Sequence, residues 1–587
     1  MRKLGFIIGI MILLITVMPV GDNLPAQAAG PPVPQEAPRL PPPQEPPPVI
    51  DGHGTGFIAP TTDLSHITGQ RMPDESLAGG SPVGQPPASF DWCTQNRVTS
   101  VENQGGCGSC YAFAALGNVE SKILIDTNTT APVNYSENNA KECNWRELNS
   151  YGCPSQCWGS CSGGNYRMLA SLFSQKGIVL ETDDGYVATD VACNSSCPYN
   201  KTLLDWRIIS GDSIPDTNVL KNYIMTYGPV YTTVYVDSSQ GFGGTYDGSY
   251  TFNYTKSPAA GTNHAVLIVG WSNSLPPDQQ TGLPGDGWIV KNSWGDGWGN
   301  NGYFYMHYGA ANIGMYSSFV HSWQDYDNNG GIMYYDDDCG DTAWGYSSTT
   351  AWGLCKFIPS NDTAASRVEF WTWDATTDVD IYIYDDFDGT SLSNLLRSQL
   401  DYNFTEAGYH SVPLTSPLPL TNGDDVIVVV KFTNSASQYP VTADPDGPSV
   451  TGRTYISPSG ANGSWYDLGL NQNDDVAIRL RTSTPLNCTC GDICVNETGW
   501  WRDGSTFAAS STPIQDAVDN ATGGDTICVK DGIYHENVDV VTSQLTIQSE
   551  NGALNCVLNA TSPNDHVFNV TADWVNCLLY TSDAADE

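Results

Sequence analysis

The stretch Gln104-Gly105-Gly106-Cys107-Gly108-Ser109-Cys110-Tyr111 contains the residue types needed to attack a carbonyl carbon. A thiol is nucleophilic only as thiolate, so it needs surroundings that lower its pKa. Cys110 opens a segment, running to Asp126, in which Phe113, Leu116, Val119, Ile123 and Leu124 recur at helical spacing. The glycines before it let the chain turn sharply into that helix. Cys110 is therefore expected at the helix N-terminus, where the helix dipole favours an anion. Gln104 carries a side-chain amide able to donate to an oxyanion.

A thiol nucleophile needs a base, and the base needs a group that orients it. Two later stretches supply them. His264 opens the apolar, β-branched run Ala265-Val-Leu-Ile-Val269, so it is expected at the mouth of a buried strand. Asn292 follows a second short strand, Trp288-Ile-Val-Lys291, and Trp294 two residues on can shield its amide from water. His53, His66, His307, His321 and His410 lack such neighbourhoods and receive no role.

Taken in order, Ser89-Phe-Asp-Trp92, the Gln104/Cys110 block, Cys161-Ser-Gly-Gly164, the His264 block and Lys291-Asn-Ser-Trp-Gly295 resemble the papain-like (C1 family) cysteine peptidases. The resemblance covers residues 87 to 320. It implies a two-lobed α+β fold, one lobe helical and one a β-barrel, with the cleft between. It implies Cys110 as nucleophile, His264 as acid/base partner and Asn292 as its orienter. Gln104 and the Cys110 N–H would form the oxyanion hole. Gly163 and Gly164 would be the backbone edge that pairs with substrate. Two departures stand out: Tyr111 replaces the more usual Trp, and Asn263 precedes the His where several members have Asp.

The chain of 587 residues is too long for one core, so several domains are expected. With 24 basic against 64 acidic residues the formal charge is −40, which argues against nucleic acid or anionic lipid as partner. Seventeen Cys suit an exported protein. No cofactor and no metal centre is expected: Cys153, Cys157 and Cys161 read as disulfide partners rather than zinc ligands. Setting Cys110 aside, the eight other Cys between Cys93 and Cys197 allow four bridges, of which the resemblance implies Cys107–Cys161 and Cys143–Cys193.

Residues 1–29 read as a signal peptide, with Arg2 and Lys3 before an apolar run and a small-residue cleavage site at Ala26-Gln-Ala28. No other run is long and apolar enough to span a bilayer. Residues 30–86 hold a Pro-rich spacer and then a short propeptide or N-terminal extension, which lacks the long charged helices of many papain-like propeptides. Residues 321–483 alternate short strands with turns, such as Asp378-Val-Asp-Ile-Tyr-Ile-Tyr384, which predicts an all-β sandwich. It resembles the lectin-like domain of some archaeal and bacterial surface peptidases. Within it Cys339 and Cys355 are expected to pair. Asp325, Asp327, Asn329, Gly330 and Asp336 partly fit a calcium loop, but a domain-joining turn fits better. Trp371 and Trp373 suit sugar stacking or packing.

Residues 484–576 resemble a Cys-bearing linker and the first rungs of a right-handed parallel β-helix, stopping short of the repeats a solenoid needs. Residues 577–587 resemble an artefactual tail. Asn-x-Ser/Thr sequons, among them Asn128, Asn253 and Asn403, fit a surface protein. The sum predicts a secreted or cell-surface endopeptidase acting on proteins or peptides, its β domains binding envelope proteins or glycans. The alternative is an adhesion or structural protein with an inactive peptidase-like module.

Overall fold

The computed structural model describes residues 31–39, 48–73, 85–131, 133–144, 159–336, 342–445, 449–483, 488, 490–503, 505, 507–550, 556–561 and 566–578. The signal-peptide call, Cys153, Cys157, Cys339 and most of the terminal tail lie outside these residues.

The first lobe of the peptidase region is built on the helix Cys110–Asp126, buried along nearly its whole length. Shorter helices pack around it and are capped by their own sequence. Ser136 accepts from Asn139 N at the start of Glu137–Glu142, and Asn165 accepts from Met168 N at the start of Tyr166–Gln175. Cys107–Cys161 ties the loop before the first helix to the loop carrying Gly163 and Gly164, and Cys143–Cys193 closes a second connection. Cys93 and Cys197 are free thiols, so the four-bridge arrangement is not adopted.

The second lobe is an antiparallel sheet in the order Tyr199–Ile208, Met315–Asp325, Val230–Val234, His264–Pro277, Pro284–Lys291 and Tyr303–Met306. Thr251–Phe252 adds in parallel to the last strand. Among the described residues no pairing joins Thr251–Phe252 back to Tyr199–Ile208, so the expected barrel is an open sheet here. The run His264 to Trp271 is buried on both faces. Ala265 joins the core around the Cys110 helix, while Val266 and Ile268 join the core of the sheet. This double burial is why the strand reads as continuously apolar rather than alternating.

The β domain beyond residue 320 has two main layers. One contains Gly331–Met333, Ile478–Ser483, Thr363–Thr372 and Ala407–Leu420; the other contains Leu392–Phe404, Thr377–Phe387, Val426–Asn434, Thr350–Phe357 and Thr454–Ser457. Val368, Phe370 and Leu480 from the first share one apolar core with Val379, Ile381, Val428 and Val430 from the second. The first layer does not end at the domain boundary. Ala407, Gly408 and Tyr409 pair with Ile208, Arg207 and Trp206, so one sheet runs through both domains. Gly408 has φ +146°, and a Cβ there would lie 2.1 Å from Trp206 O; only glycine allows this approach.

One expectation fails in this domain, and two alternatives left open by the sequence are decided. Cys355 is a free, buried thiol that reaches Val476 O at 3.4 Å, so it does not bridge to Cys339. Trp371 and Trp373 are buried, and Trp371 packs against Trp206 and Tyr409, which makes it core rather than a sugar platform. Asp336 turns inward to pair with Arg479, while Asp325 pairs with Lys201; the loop does not gather its carboxylates.

The C-terminal region contains parallel ladders. Ile493–Asn496, Thr526–Val529, Thr546–Ser549 and Asn576–Leu578 form one, Gly532–His535 with Cys556–Asn559 a second, and Val538–Val540 with Phe568–Val570 a third. Ile493, Ile527, Ile547, Val538 and Leu558 share one core, with the helix Pro513–Asp519 packed over it. Cys488–Cys494 and Cys490–Cys528 staple its start. Among the described residues no helix is long and apolar enough to cross a membrane.

Candidate active site

Cys110 is the first residue of its helix, as its spacing predicts, with Ser109 at the N-cap. Its sulfur accepts the Ala265 N–H at 3.3 Å, which brings it beside the residue that follows His264. His264 Nε2 donates to Asn292 Oδ1 at 2.8 Å. That bond leaves Nδ1 as the basic nitrogen, and Nδ1 is buried without a hydrogen-bond partner. Trp294, itself buried, covers the imidazole with ring centroids 5.3 Å apart. Gln104 Oε1 accepts from Ser293 Oγ at 2.6 Å, which fixes the amide with Nε2 turned inward. Gly163 and Gly164 follow Cys161, which is tied by its disulfide to Cys107 three residues before the nucleophile.

The cleft is not open. Residues 53–58 lie in it. Gln104 Nε2 donates to Gly54 O at 2.9 Å as well as to Cys107 O at 2.7 Å. Gly56 contributes a backbone N–H to the Cys110 sulfur. Gly164 N donates to Gly56 O at 2.8 Å and Ile58 N to Gly164 O at 2.9 Å, a parallel pairing that seats Phe57 against Gly164. Phe57 N donates to Asn263 O at 3.2 Å, and His53 stacks on Trp294 at 4.7 Å. A Cβ on Gly56 would fall 1.9 Å from Gly108 O, so the fit needs glycine.

This cover changes the electrostatics of the pair. Burial pushes the Cys110 thiol up to about 12, although the Ala265 and Gly56 N–H groups oppose it. Burial pushes the His264 imidazole down to about 4, although its bond to Asn292 opposes it. Both groups are therefore neutral near pH 7, and the dipole at the helix N-terminus is outweighed by desolvation. A thiolate–imidazolium pair requires water to re-enter the cleft.

The structure thus brings together Cys110, His264, Asn292, Gln104, Trp294, Gly163 and Gly164. Sequence reasoning missed Ser293, which holds the Gln104 amide, and the occupation of the cleft by Gly54 to Ile58. It also gave His53 no role. A signal for the close approach exists in Gly52, Gly54 and Gly56, three glycines on alternate positions of one extended segment.

Comparison with known proteins gives a consistent picture. Residues 86–322 match the model for papain family cysteine protease, and residues 333–482 match the model for a lectin like domain. Cysteine proteinase 1 of Dictyostelium discoideum is 33% identical over 236 residues, covering 40% of this chain and 64% of that protein. A viral cathepsin of Bombyx mori nuclear polyhedrosis virus is 31% identical over 265 residues, covering 43% and 71%. Cathepsin F of Drosophila melanogaster is 29% identical over 264 residues, and there the chain spans only 40% of the relative's length. The crystal structure of the cysteine protease and lectin-like domains of Cwp84, a surface layer associated protein of Clostridium difficile, superposes with TM-score 0.55 at 18% identity. It covers 74% of this chain and 99% of that one, a likeness of fold alone.

Proposed function

We propose, from the premise that this chain belongs to the papain family of cysteine proteases, that it is an exported endopeptidase held as a zymogen. Residues 30–86 act as its inhibitory prosegment. After their release Cys110 loses its proton to His264 and attacks a peptide carbonyl. The new S–C bond leaves an oxyanion to be received by Gln104 Nε2 and the Cys110 N–H. His264 returns the proton to the leaving nitrogen as the C–N bond breaks. Water then attacks the thioester, giving a proton to His264, and thiol and carboxylic acid part. Asn292 keeps the imidazole in the tautomer this exchange needs. One observation carries the reading. Gly54 O occupies the Gln104 amide that an oxyanion would use, while Gly56 lies at the sulfur.

The parallel pairing of Gly56 to Ile58 with Gly164 supports an occupant held without being cut, because its carbonyls are not offered as a substrate's would be. Export is supported by the basic-then-apolar start of the chain. Attachment at a cell surface is supported by the lectin-like domain and by the printed description of Cwp84 as surface-layer associated. The parallel ladders after residue 490 support the beginning of a parallel β-helix.

The test uses the full chain, before and after prosegment release, with a thiol-selective epoxide and a peptide substrate. Released protein should take one label at Cys110 and hydrolyse peptide, while the unreleased chain does neither at that residue. Cys110→Ala should lose both, and His264→Ala should lose at least about 10³-fold in kcat/KM. Released, folded protein with an unreactive Cys110 would refute the reading.

A further inference from the structure

The N-terminal segment has a second seat, outside the cleft. Gln35–Glu36 pairs antiparallel with Thr342–Gly345, the last strand of a small sheet in the lectin-like domain whose other strands are Val441–Asp444 and Asp475–Val476. Ala37 N donates to Ala343 O at 2.8 Å, Thr342 Oγ1 to Glu36 Oε1 at 3.0 Å and Ser347 Oγ to Gln35 Oε1 at 3.2 Å. Within residues 31–39 only Pro34 and Ala37 are buried. Ala37 sits among Ala343, Trp373 and Tyr439. The two buried positions are three apart, the period of a polyproline helix, and Pro31, Pro32, Pro34 and Pro38 hold the segment extended before it binds. Take this segment away and Thr342–Gly345 becomes a sheet edge, with a row of unpaired N–H and C=O groups beside a pocket of small-residue size. That edge is not on a loose module. Trp344, Val441, Ala443 and Val476 belong to the core of the lectin-like layers, and those layers share a sheet with the peptidase region.

We propose that this edge is a substrate exosite, which in the released enzyme takes an extended, proline-containing segment of the protein to be cut. This deepens the peptidase reading and rests on it. Residues 34–37 show what fits: a proline, then a small residue three positions on, in a chain straight enough to pair as a strand. Main-chain bonds to Thr342–Gly345 supply the affinity, and the pocket of Ala343, Trp373 and Tyr439 supplies the preference for a small side chain. The occupant is a substrate rather than a bystander because the edge and the cleft belong to one continuous sheet structure, so a chain held at the edge is presented to Cys110 at a fixed offset. Such tethering raises the local concentration of the scissile bond without touching the reacting atoms. It therefore lowers KM and leaves kcat alone.

Two measurements test this. The first titrates a fluorescent peptide of residues 31–39 into the full chain after prosegment release, with Cys110 capped by the epoxide so that nothing is cut. Binding should saturate, and should weaken by about tenfold when the peptide carries Ala37→Leu, which overfills the pocket. The unreleased chain, whose own segment holds the edge, should bind neither peptide. The second follows hydrolysis of one peptide substrate, plain or joined at either end through a Gly/Ser linker to residues 31–39. The joined substrate should show a KM lower by about tenfold at unchanged kcat. Ala37→Leu in the joined segment, or Tyr439→Ala in the enzyme, should abolish that advantage while the plain peptide is cut as before. Equal binding of the two peptides, a joined substrate with no advantage, or an advantage that survives Tyr439→Ala overturns the exosite and leaves the peptidase reading standing. So does a mass for the released protein showing that residues 31–39 stay on it. Binding at the edge with no labelling of Cys110 and no hydrolysis of any peptide sinks the peptidase reading, and the substrate role with it.

Discussion

The peptidase domain is gripped on two sides, and the two contacts are built from different materials. In the cleft the N-terminal segment is held mainly by backbone. Gly54, Gly56 and Ile58 bond to Gln104, Gly164 and Gly105 with no ion pair to residues 102–111 or 159–166 among the described contacts. Against the lectin-like domain the contact is ionic and buried. Arg479 takes both oxygens of Asp336 and reaches Ser171 Oγ and Ser174 Oγ of the helix Tyr166–Gln175. Arg481 takes Glu369 and the Ser174 carbonyl. Arg207 spans Asp205 and Glu406, and Tyr223 donates to the same Glu406 at 2.7 Å. Burial raises Asp205, yet Arg207, His410 and His321 hold it well below the ordinary carboxylate range. A backbone contact with few charges can part cleanly. A buried ion network cannot, because parting or truncating it strands charge in a dry interior.

The largest way to break this contrast is Arg479→Ala. It leaves the buried Asp336 carboxylate without its cation and close to Asp444, and should cost about 3–5 kcal/mol in denaturant unfolding of the whole chain. The double change Arg479→Met/Asp336→Leu should recover most of that loss. Destabilisation confined to the lectin-like half would contradict the shared-sheet view. A smaller change sharpens the other side. Gly56→Ala drives a Cβ into Gly108 O and should weaken the docking of residues 53–58 by about 1–3 kcal/mol, seen as Cys110 labelling at neutral pH with overall stability preserved. The smallest effect is protonic. His53 is lowered by burial, against the Asp51 charge, and His264 is lowered to about 4 by burial. A lowered imidazole means the docked state binds protons less well than the released one. Docking is then full above the ordinary value near 6.5 and is lost as pH falls from there toward about 4. Labelling rates across pH 4–8 should therefore rise with acid, and His53→Gln should flatten part of the rise. A profile unchanged by His53→Gln would remove that residue from the release step.

What was legible in the sequence follows the same division. Residue types that do chemistry sit in short windows, so Cys110, His264 and Asn292 announce themselves, and the family resemblance carries Cys107–Cys161 and Cys143–Cys193. Contacts between distant surfaces announce nothing. In Ile478-Arg479-Leu480-Arg481 the alternation has one apolar and one charged face, which reads as core and solvent. Here the charged face is covered by the helix Tyr166–Gln175, and its guanidiniums are buried. The pairing of Ala407–Tyr409 with Trp206–Ile208 likewise joins strands far apart in sequence, and only the close approach at Gly408 marks it. Cys355 looked like half of a bridge because its surroundings are invisible in one dimension; burial in the sheet core lets it remain a thiol.

The shared strand Tyr199–Ile208 also sets what the proposed peptidase could reach. A module on a loose tether sweeps a volume and meets bonds at many distances. Here the passage from one domain to the other is a sheet, and residues 326–330 form only a tight connection between paired strands. The span from Gly164 to the outer face of the lectin-like layers is thus a fixed length of the molecule. Under the proposed function, a chain attached through that face would hold its cleft at one fixed height above the attachment.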